Sequence, residues 1–401
     1  MLKKVIKKNF NKEFGIVVLA ALIMLFIKLF FSYHVYGSND ITYYIFFSKI
    51  IEKFGTFKLY ALTSLANHPP LLSWIIKFVA FIQHKTQLGF PYLYRSLLII
   101  ADFLSIIIIW KLSVKYLVKN RVLICLICIF NPVNFFICAY HGNTDPLFIF
   151  FLLLAFDFIE DDKIVFAGMI YGLSLCIKIV PVIFIPVFFY FLRTRKSRVV
   201  FFMSSLLLPL VVYLPYLAYD YHSMLKDIFY YNSLNGIWGI GHILQGIASH
   251  ENNNIFFRKT AYGLFKWHIA SFRIMFFALQ IVLIKYLSGR RPLNLIELAF
   301  LTFGLFLAIT PGFGIQYLSW LPFFAIVIYP VLGSIYVVLG GFFLYRVYVF
   351  WGGGKAPYYA NSMAAGQWGG WDGVLDIVLW LLVVVMLLKF IIDRKALDHA
   401  Q

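Results

Sequence analysis

Residues 16–31 read IVVLAALIMLFIKLFF, and they follow the basic stretch MLKKVIKKNFNKEFG of residues 1–15. A membrane-spanning helix takes roughly 20 predominantly apolar residues, and the run with its flanks supplies them over about 14–33. A basic lead and an apolar core resemble a secretory signal. No small-residue cleavage site follows, however, and more apolar stretches come after it, so the expectation is an uncleaved first span with its N-terminus in the cytoplasm. Similar stretches recur at about 93–110, 121–139, 145–159, 163–176, 178–192, 199–218, 271–288, 293–310, 315–329, 331–349 and 373–392. The expected fold is an all-α polytopic membrane protein, a single module over residues 1–401 with about 12 transmembrane helices and no separate soluble domain.

Composition excludes a soluble chain. Of 401 residues, 62% are hydrophobic, and mean hydropathy is +0.85. A soluble domain would expose that surface and aggregate. Only 13% of residues are charged, yet the net charge is +18. In this setting the excess belongs to cytoplasmic loops that orient helices and meet anionic lipid, not to a nucleic-acid module. Cys125, Cys128, Cys138 and Cys176 all lie in apolar runs. The C-x-x-C spacing of the first two lacks a second ligand pair, so neither a metal site nor a disulfide is expected.

Loop charges assign sides. Lys111, Lys115, Lys119 and Arg121, then Lys163, then Arg193, Arg195, Lys196 and Arg198, then Arg290 and Arg291, and finally Arg394 and Lys395 fall at alternate junctions. With basic loops inside, both termini are cytoplasmic and segments 34–92, 140–145, 219–270 and 350–372 lie outside. Segment 34–92 holds two amphipathic stretches, Ile41 to Phe54 and Leu71 to Gln83. They read as helices lying along the membrane surface, the second starting at Pro70.

Candidate chemistry gathers on the outer face. Asp40, in Ser38-Asn39-Asp40-Ile41, opens the first surface helix; its plain alternative is a helix cap. Asp145, in His141-Gly142-Asn143-Thr144-Asp145-Pro146, precedes a helix-starting proline and carries the same alternative. Each carboxylate has a histidine in a nearby segment, His68 and His141. Lys178 sits in an apolar stretch before Pro181, where an ammonium must snorkel or find an anion. In Asn235-Gly236-Ile237-Trp238-Gly239-Ile240-Gly241-His242, the Trp238 ring could stack on a sugar, or merely lie at the interface. Gln316 and Tyr317, in Pro311-Gly312-Phe313-Gly314-Ile315-Gln316-Tyr317-Leu318-Ser319-Trp320-Leu321-Pro322, reach the same face. The Gly/Trp-rich outer loop from Trp351 to Gly373 suggests no particular work.

The ordered set resembles the GT-C superfamily of membrane glycosyltransferases, most like bacterial relatives of the GPI mannosyltransferases. It comprises an Asp just after the first span, His68-Pro69-Pro70 in the first outer loop, Gly142-x-x-Asp145, Lys178 shortly before Pro181, and Gln316-Tyr317-Leu318-x-Trp320-x-x-Pro322. The resemblance implies an inverting transferase that moves a sugar, a hexose such as mannose, from a polyprenyl phosphate to an acceptor hydroxyl. The acceptor would be a glycan, lipid or protein, and the site would face the outside of a bacterial plasma membrane. It implies Asp40 as catalytic base. Asp145 and His141 would serve the acceptor or a metal, and Lys178 and Arg95 the carrier phosphate. His68, Trp238, His242, Gln316 and Tyr317 would be sugar or loop contacts. The family often carries an acidic pair at the first site; here Asn39 precedes a lone Asp40, which weighs against a divalent metal, and no cofactor is expected.

Two other classes compete. A transporter or flippase of lipid-linked saccharide would use intramembrane charges such as Lys178, Asp102, Glu297, Arg346 and Asp376, but no internal repeat is visible. A polysaccharide polymerase or ligase would use a late outer loop, and segment 219–270 holds His222, His242, His250 and His268.

Overall fold

The computed structural model describes residues 2–229, 233–250, 254–289, 291–352 and 371–399. Arg290 and most of the Gly/Trp-rich stretch between Trp351 and Gly373 lie outside the described residues. The chain runs as α1 (Leu2–His34), α2 (Asn39–Phe54), α3 (Leu59–Leu62), α4 (Leu71–Thr86), α5 (Phe90–Lys115), α6 (Arg121–Ile129) and α7 (Pro132–Phe136). A π-helical turn, Ile137–His141, ends that limb. Then come α8 (Asp145–Glu160), α9 (Ile164–Ile177), a 3-10 turn (Val180–Phe184), α10 (Ile185–Phe191) and α11 (Arg195–Phe229). The last part holds β1 (Leu234–Asn235), α12 (Gly239–Ser249), α13 (Ile255–Leu287), α14 (Leu295–Ile309), β2 (Gly312–Phe313), α15 (Pro322–Ile328), α16 (Pro330–Trp351) and α17 (Trp371–His399).

Every apolar stretch picked out by hydropathy is helical. Among the described residues, seven helices are long and apolar enough to cross a membrane one by one, counting Arg121–His141 as one, while four apolar helical segments are shorter. The chain is an all-α integral membrane protein. Its two-residue strands pair antiparallel, Leu234 with Phe313 and Asn235 with Gly312.

Segment 219–270 departs from a plain outer loop. α11 extends to Phe229 and α13 starts at Ile255, so most of it is helix. α11 breaks at Asp220 (φ −155°, ψ 82°). The Asp220 carboxylate accepts from the Ser223 backbone N–H at 3.1 Å, capping the helix that resumes there.

The two surface helices form as their periodicity demands. α2 buries Ile41, Tyr44, Phe47 and Ile51, and α4 buries Leu72, Ile76 and Val79. They pack on Tyr94, Leu98 and Ile99 of α5 in a second core, separate from the main one among the spans. Ser38, not Asp40, caps α2: its Oγ accepts the Asp40 backbone N–H at 3.2 Å. The cap alternative for Asp40 therefore falls away, and its carboxylate is available elsewhere.

α1, α5 and the α7 limb are stapled at two depths. At the deeper level Lys28 Nζ reaches Asp102 Oδ2 at 2.6 Å, and Asn134 Nδ2 donates to Asp102 Oδ1 at 3.0 Å. Both ions are buried, so each stands on the other's charge. At the upper level the buried Arg95 donates to the carbonyls of Ser32 (2.8 Å), Val35 (2.5 Å) and Tyr140 (3.2 Å), and of Pro91 in its own helix (3.0 Å). Arg95 thus works as a clamp on backbone, with its donors given to carbonyls, and this corrects the expectation that it holds a phosphate. Only glycine fits beside the clamp. Gly37 has φ +105°, and a Cβ there would lie 2.6 Å from Arg95 Nη1.

Removing one ion of the deep pair should be costly. Asp102→Ala leaves Lys28 charged in an apolar interior and should cost about 3–5 kcal/mol. The double change Lys28→Met with Asp102→Leu should recover most of the loss. Thermal unfolding in detergent reads both; an Asp102→Ala protein melting like the wild type would contradict the staple.

Candidate active site

The clamp brings the Ser38–Asp40 turn against the His141–Asn143 turn. Ser38 Oγ donates to the His141 carbonyl at 2.6 Å. Gly142 turns left-handed (φ +77°), and a Cβ there would strike the Ile41 side chain at 2.5 Å. The turns therefore close on each other and aim three side chains at one point. Asp40 Oδ2 receives Asn143 Nδ2 at 2.6 Å and faces His141 Nε2 at 3.1 Å. Both contacts fall on Oδ2.

Asn143 also links Asp40 to Lys178. Lys178 Nζ donates to Asn143 Oδ1 at 3.4 Å and to both Asp145 oxygens at 3.0 and 2.9 Å. Lys178 stands where α9 ends, in extended backbone (φ −149°, ψ 143°), which turns it back toward the α8 start. Its ammonium lies 5.5–5.9 Å from the ring centroids of Phe148, Tyr317 and Trp320. Asp145 is fully buried and also takes the Trp320 indole N–H. Asp145, expected to meet an acceptor or a metal, instead holds Lys178 in place.

These groups line a cavity of about 710 Å³, within the range of small-molecule sites. Asp40, His68, His141, Asn143 and Lys178 supply its polar wall. Val180, Val182 and Ile183 of the 3-10 turn and Ile269, Phe272, Phe276 and Phe277 of α13 supply an apolar wall. The short β1–β2 pair borders it, with Leu234, Asn235, Gly312 and Phe313 among the lining residues, as are Gln316 and Tyr317. Asp40, His68, His141, Lys178, Gln316 and Tyr317 thus converge as the sequence suggests.

Trp238 and His242 do not join them. The Trp238 ring is buried, stacks on Phe313 at 4.2 Å and donates its indole N–H to the Leu307 carbonyl at 2.7 Å. No face is left for a sugar. His242 Nδ1 meets Asp376 Oδ2 at 2.6 Å, tying α12 to α17. That carboxylate raises the His242 pKa above its ordinary value. Of the other intramembrane acids, Asp102 pairs with Lys28 and Glu297 with Arg394 at 3.2 Å. Asn143 and Arg273 also line the cavity, beyond the residues expected from sequence. Asn143 sits inside the His141–Asp145 motif, and Arg273 is a charge in an apolar helix. Either signal would have sufficed.

Burial acts to raise the pKa of Asp40, but the His141 charge, the His141 and Asn143 hydrogen bonds and the His68 charge outweigh it and bring it to about 2. Asp40 is a carboxylate at any physiological pH. His68 moves the other way for a cation: burial, then the Lys178 charge, lower its pKa to about 3. It is a neutral donor or acceptor at the cavity wall. Among the described residues, no three His, Cys, Asp or Glu side chains come together to hold a metal.

Residues 68–311 match glycosyltransferase family 87. The chain is also 27% identical over 194 residues to GPI mannosyltransferase 1 of Saccharomyces cerevisiae, an alignment covering 47% of this chain and 46% of the yeast protein. The chain thus matches less than half the length of that relative.

The His68 environment has a pH consequence. His68 binds a proton near 6.5 when unfolded but only near 3 in the fold, so the fold loses stability as pH drops through that window. His68→Gln should flatten the acid side of the stability curve. Melting temperatures in detergent at pH 7 and pH 5 check this; an unchanged pH 7-to-5 difference in the variant would contradict it.

Proposed function

The chain belongs to glycosyltransferase family 87, and we propose that it moves a mannose-like hexose from a polyprenyl phosphate to an acceptor hydroxyl, with inversion at the anomeric carbon. The observation that carries this reading is the Asp40 carboxylate. His141 and Asn143 occupy Oδ2 only, so Oδ1 keeps its lone pairs for a proton from within the cavity.

The acceptor oxygen attacks the anomeric carbon from the side opposite the phosphate. The new C–O bond forms as the bond from that carbon to the phosphate oxygen breaks, and the electron pair leaves with polyprenyl phosphate. The acceptor proton passes to Asp40 Oδ1. A carboxylate of pKa about 2 is a weak base toward a free hydroxyl. It suffices when the proton is taken late, because an oxygen bonding to a cationic sugar carbon has become strongly acidic. The leaving phosphate needs positive charge more than a general acid. Lys178 supplies it, held by Asp145 and linked to the base through Asn143. His68, Gln316 and Tyr317 would contact the sugar or acceptor.

In this reading the module is a GT-C-type bundle of about 12 spans in a bacterial plasma membrane. Both termini are cytoplasmic, and the surface helices α2 and α4 and the cavity lie on the outer face. The loop charges support that sidedness. The acceptor is a glycan, lipid or protein on that face.

Asp40→Asn should leave α2 intact, since Ser38 is its cap. It should lower transfer by roughly 100- to 10,000-fold, because an amide cannot take the proton. The assay uses right-side-out vesicles with a membrane-impermeant acceptor, so it reads the outer face alone. A folded Asp40→Asn protein transferring at the wild-type rate would refute the assignment, and wild-type transfer seen only in inverted vesicles would refute the sidedness.

A further inference from the structure

We infer that Arg273 is the docking point for the phosphate of the lipid donor where the cavity opens along α13. The inference rests on the reading of the donor as a polyprenyl phosphate sugar. α13 turns one face to the cavity, with Ile269, Phe272, Arg273, Phe276 and Phe277 all in its lining, the i, i+3, i+4 spacing of a single helix face. Arg273 is exposed there, amid apolar neighbours. It makes no hydrogen bond or ion pair with any described residue.

Lys178, the other lysine or arginine among the described residues of the lining, is already matched by Asp145 at 2.9 Å. Arg95 spends its donors on carbonyls. Among the described residues of the lining, Arg273 is therefore the uncompensated lysine or arginine. A guanidinium on an apolar helix face is costly unless an anion meets it. Its planar fork suits two phosphate oxygens at once. A wall that offers one unmatched guanidinium among phenylalanine and isoleucine side chains fits an amphiphile with a phosphate head and a long hydrocarbon tail. Two such molecules exist in a bilayer, the polyprenyl phosphate carrier and bulk phospholipid, and the geometry favours the carrier because the same cavity holds Asp40 and Lys178.

The test is binding to the full-length protein in detergent, with long-chain polyprenyl phosphate, the matching polyprenol and phosphatidylglycerol as probes. Wild type should prefer the phosphate to the alcohol by about tenfold or more, the worth of a charge-assisted hydrogen bond. Arg273→Gln should lose most of that preference, and Arg273→Lys should keep part of it and serve as the folded control. An undiminished preference in both Arg273→Gln and Arg273→Ala would overturn the inference. Displacement of polyprenyl phosphate by an equal amount of phosphatidylglycerol would assign Arg273 to bulk lipid and overturn the carrier. No preference for phosphate in wild type would refute the donor reading itself, whatever Arg273 does.

Discussion

The site depends on one arginine spent entirely on backbone. Arg95 gathers carbonyls from the end of α1, from the residue after it and from the π turn before His141. Those segments are distant in sequence, and each would otherwise leave a buried carbonyl unpaired, which is costly. A single guanidinium satisfies them together and so fixes the distance between Asp40 and the His141–Asn143 turn. Gly37 and Gly142 make room for it. The Lys28–Asp102–Asn134 cluster repeats the same three-way tie deeper in the bundle. Two ties thus join the same three limbs at different levels.

From that fixed point a polar chain runs through otherwise apolar surroundings: Asp40, Asn143, Lys178, Asp145 and the Trp320 indole. Its members alternate in charge, which offsets the cost of placing ions at low dielectric. The Asp40 end, proposed to react, reaches the cavity, whereas the far end is sealed by aromatic rings. Asp145 thus acts through Lys178, which meets the leaving phosphate in the proposed reaction, and changing it would disturb that residue's charge and position together.

The helices of the apolar stretches and the two amphipathic helices of segment 34–92 were legible because they rest on hydropathy and period. Asp40, His68, His141 and Lys178 were legible as polar groups, and they line one cavity. Orientation was not. Whether Trp238 shows its ring to a sugar or to Phe313 depends on a strand pairing of two residues, Leu234 and Asn235 with β2, too short to leave a pattern. Arg95 reads as a surface cation on α5, and only the arrival of α1 and the π turn in space converts it to a clamp. Asp40 looked like a cap because Asp often is one; Ser38, two residues earlier, took that work. Asn143 stands in the same motif as Asp145, whose carboxylate is the more conspicuous signal.

The account turns on where the transferable sugar sits, and a bound structure tests that most directly. A non-transferable donor, with the oxygen linking phosphate to sugar replaced by carbon, can be imaged in the purified protein by cryo-electron microscopy. The account predicts the anomeric carbon beside the Asp40 carboxylate, the phosphonate between Lys178 and Arg273, and the polyprenyl chain leaving along Phe272, Phe276 and Val182. A saccharide bound away from Asp40, or a chain running along another face of the bundle, would contradict it.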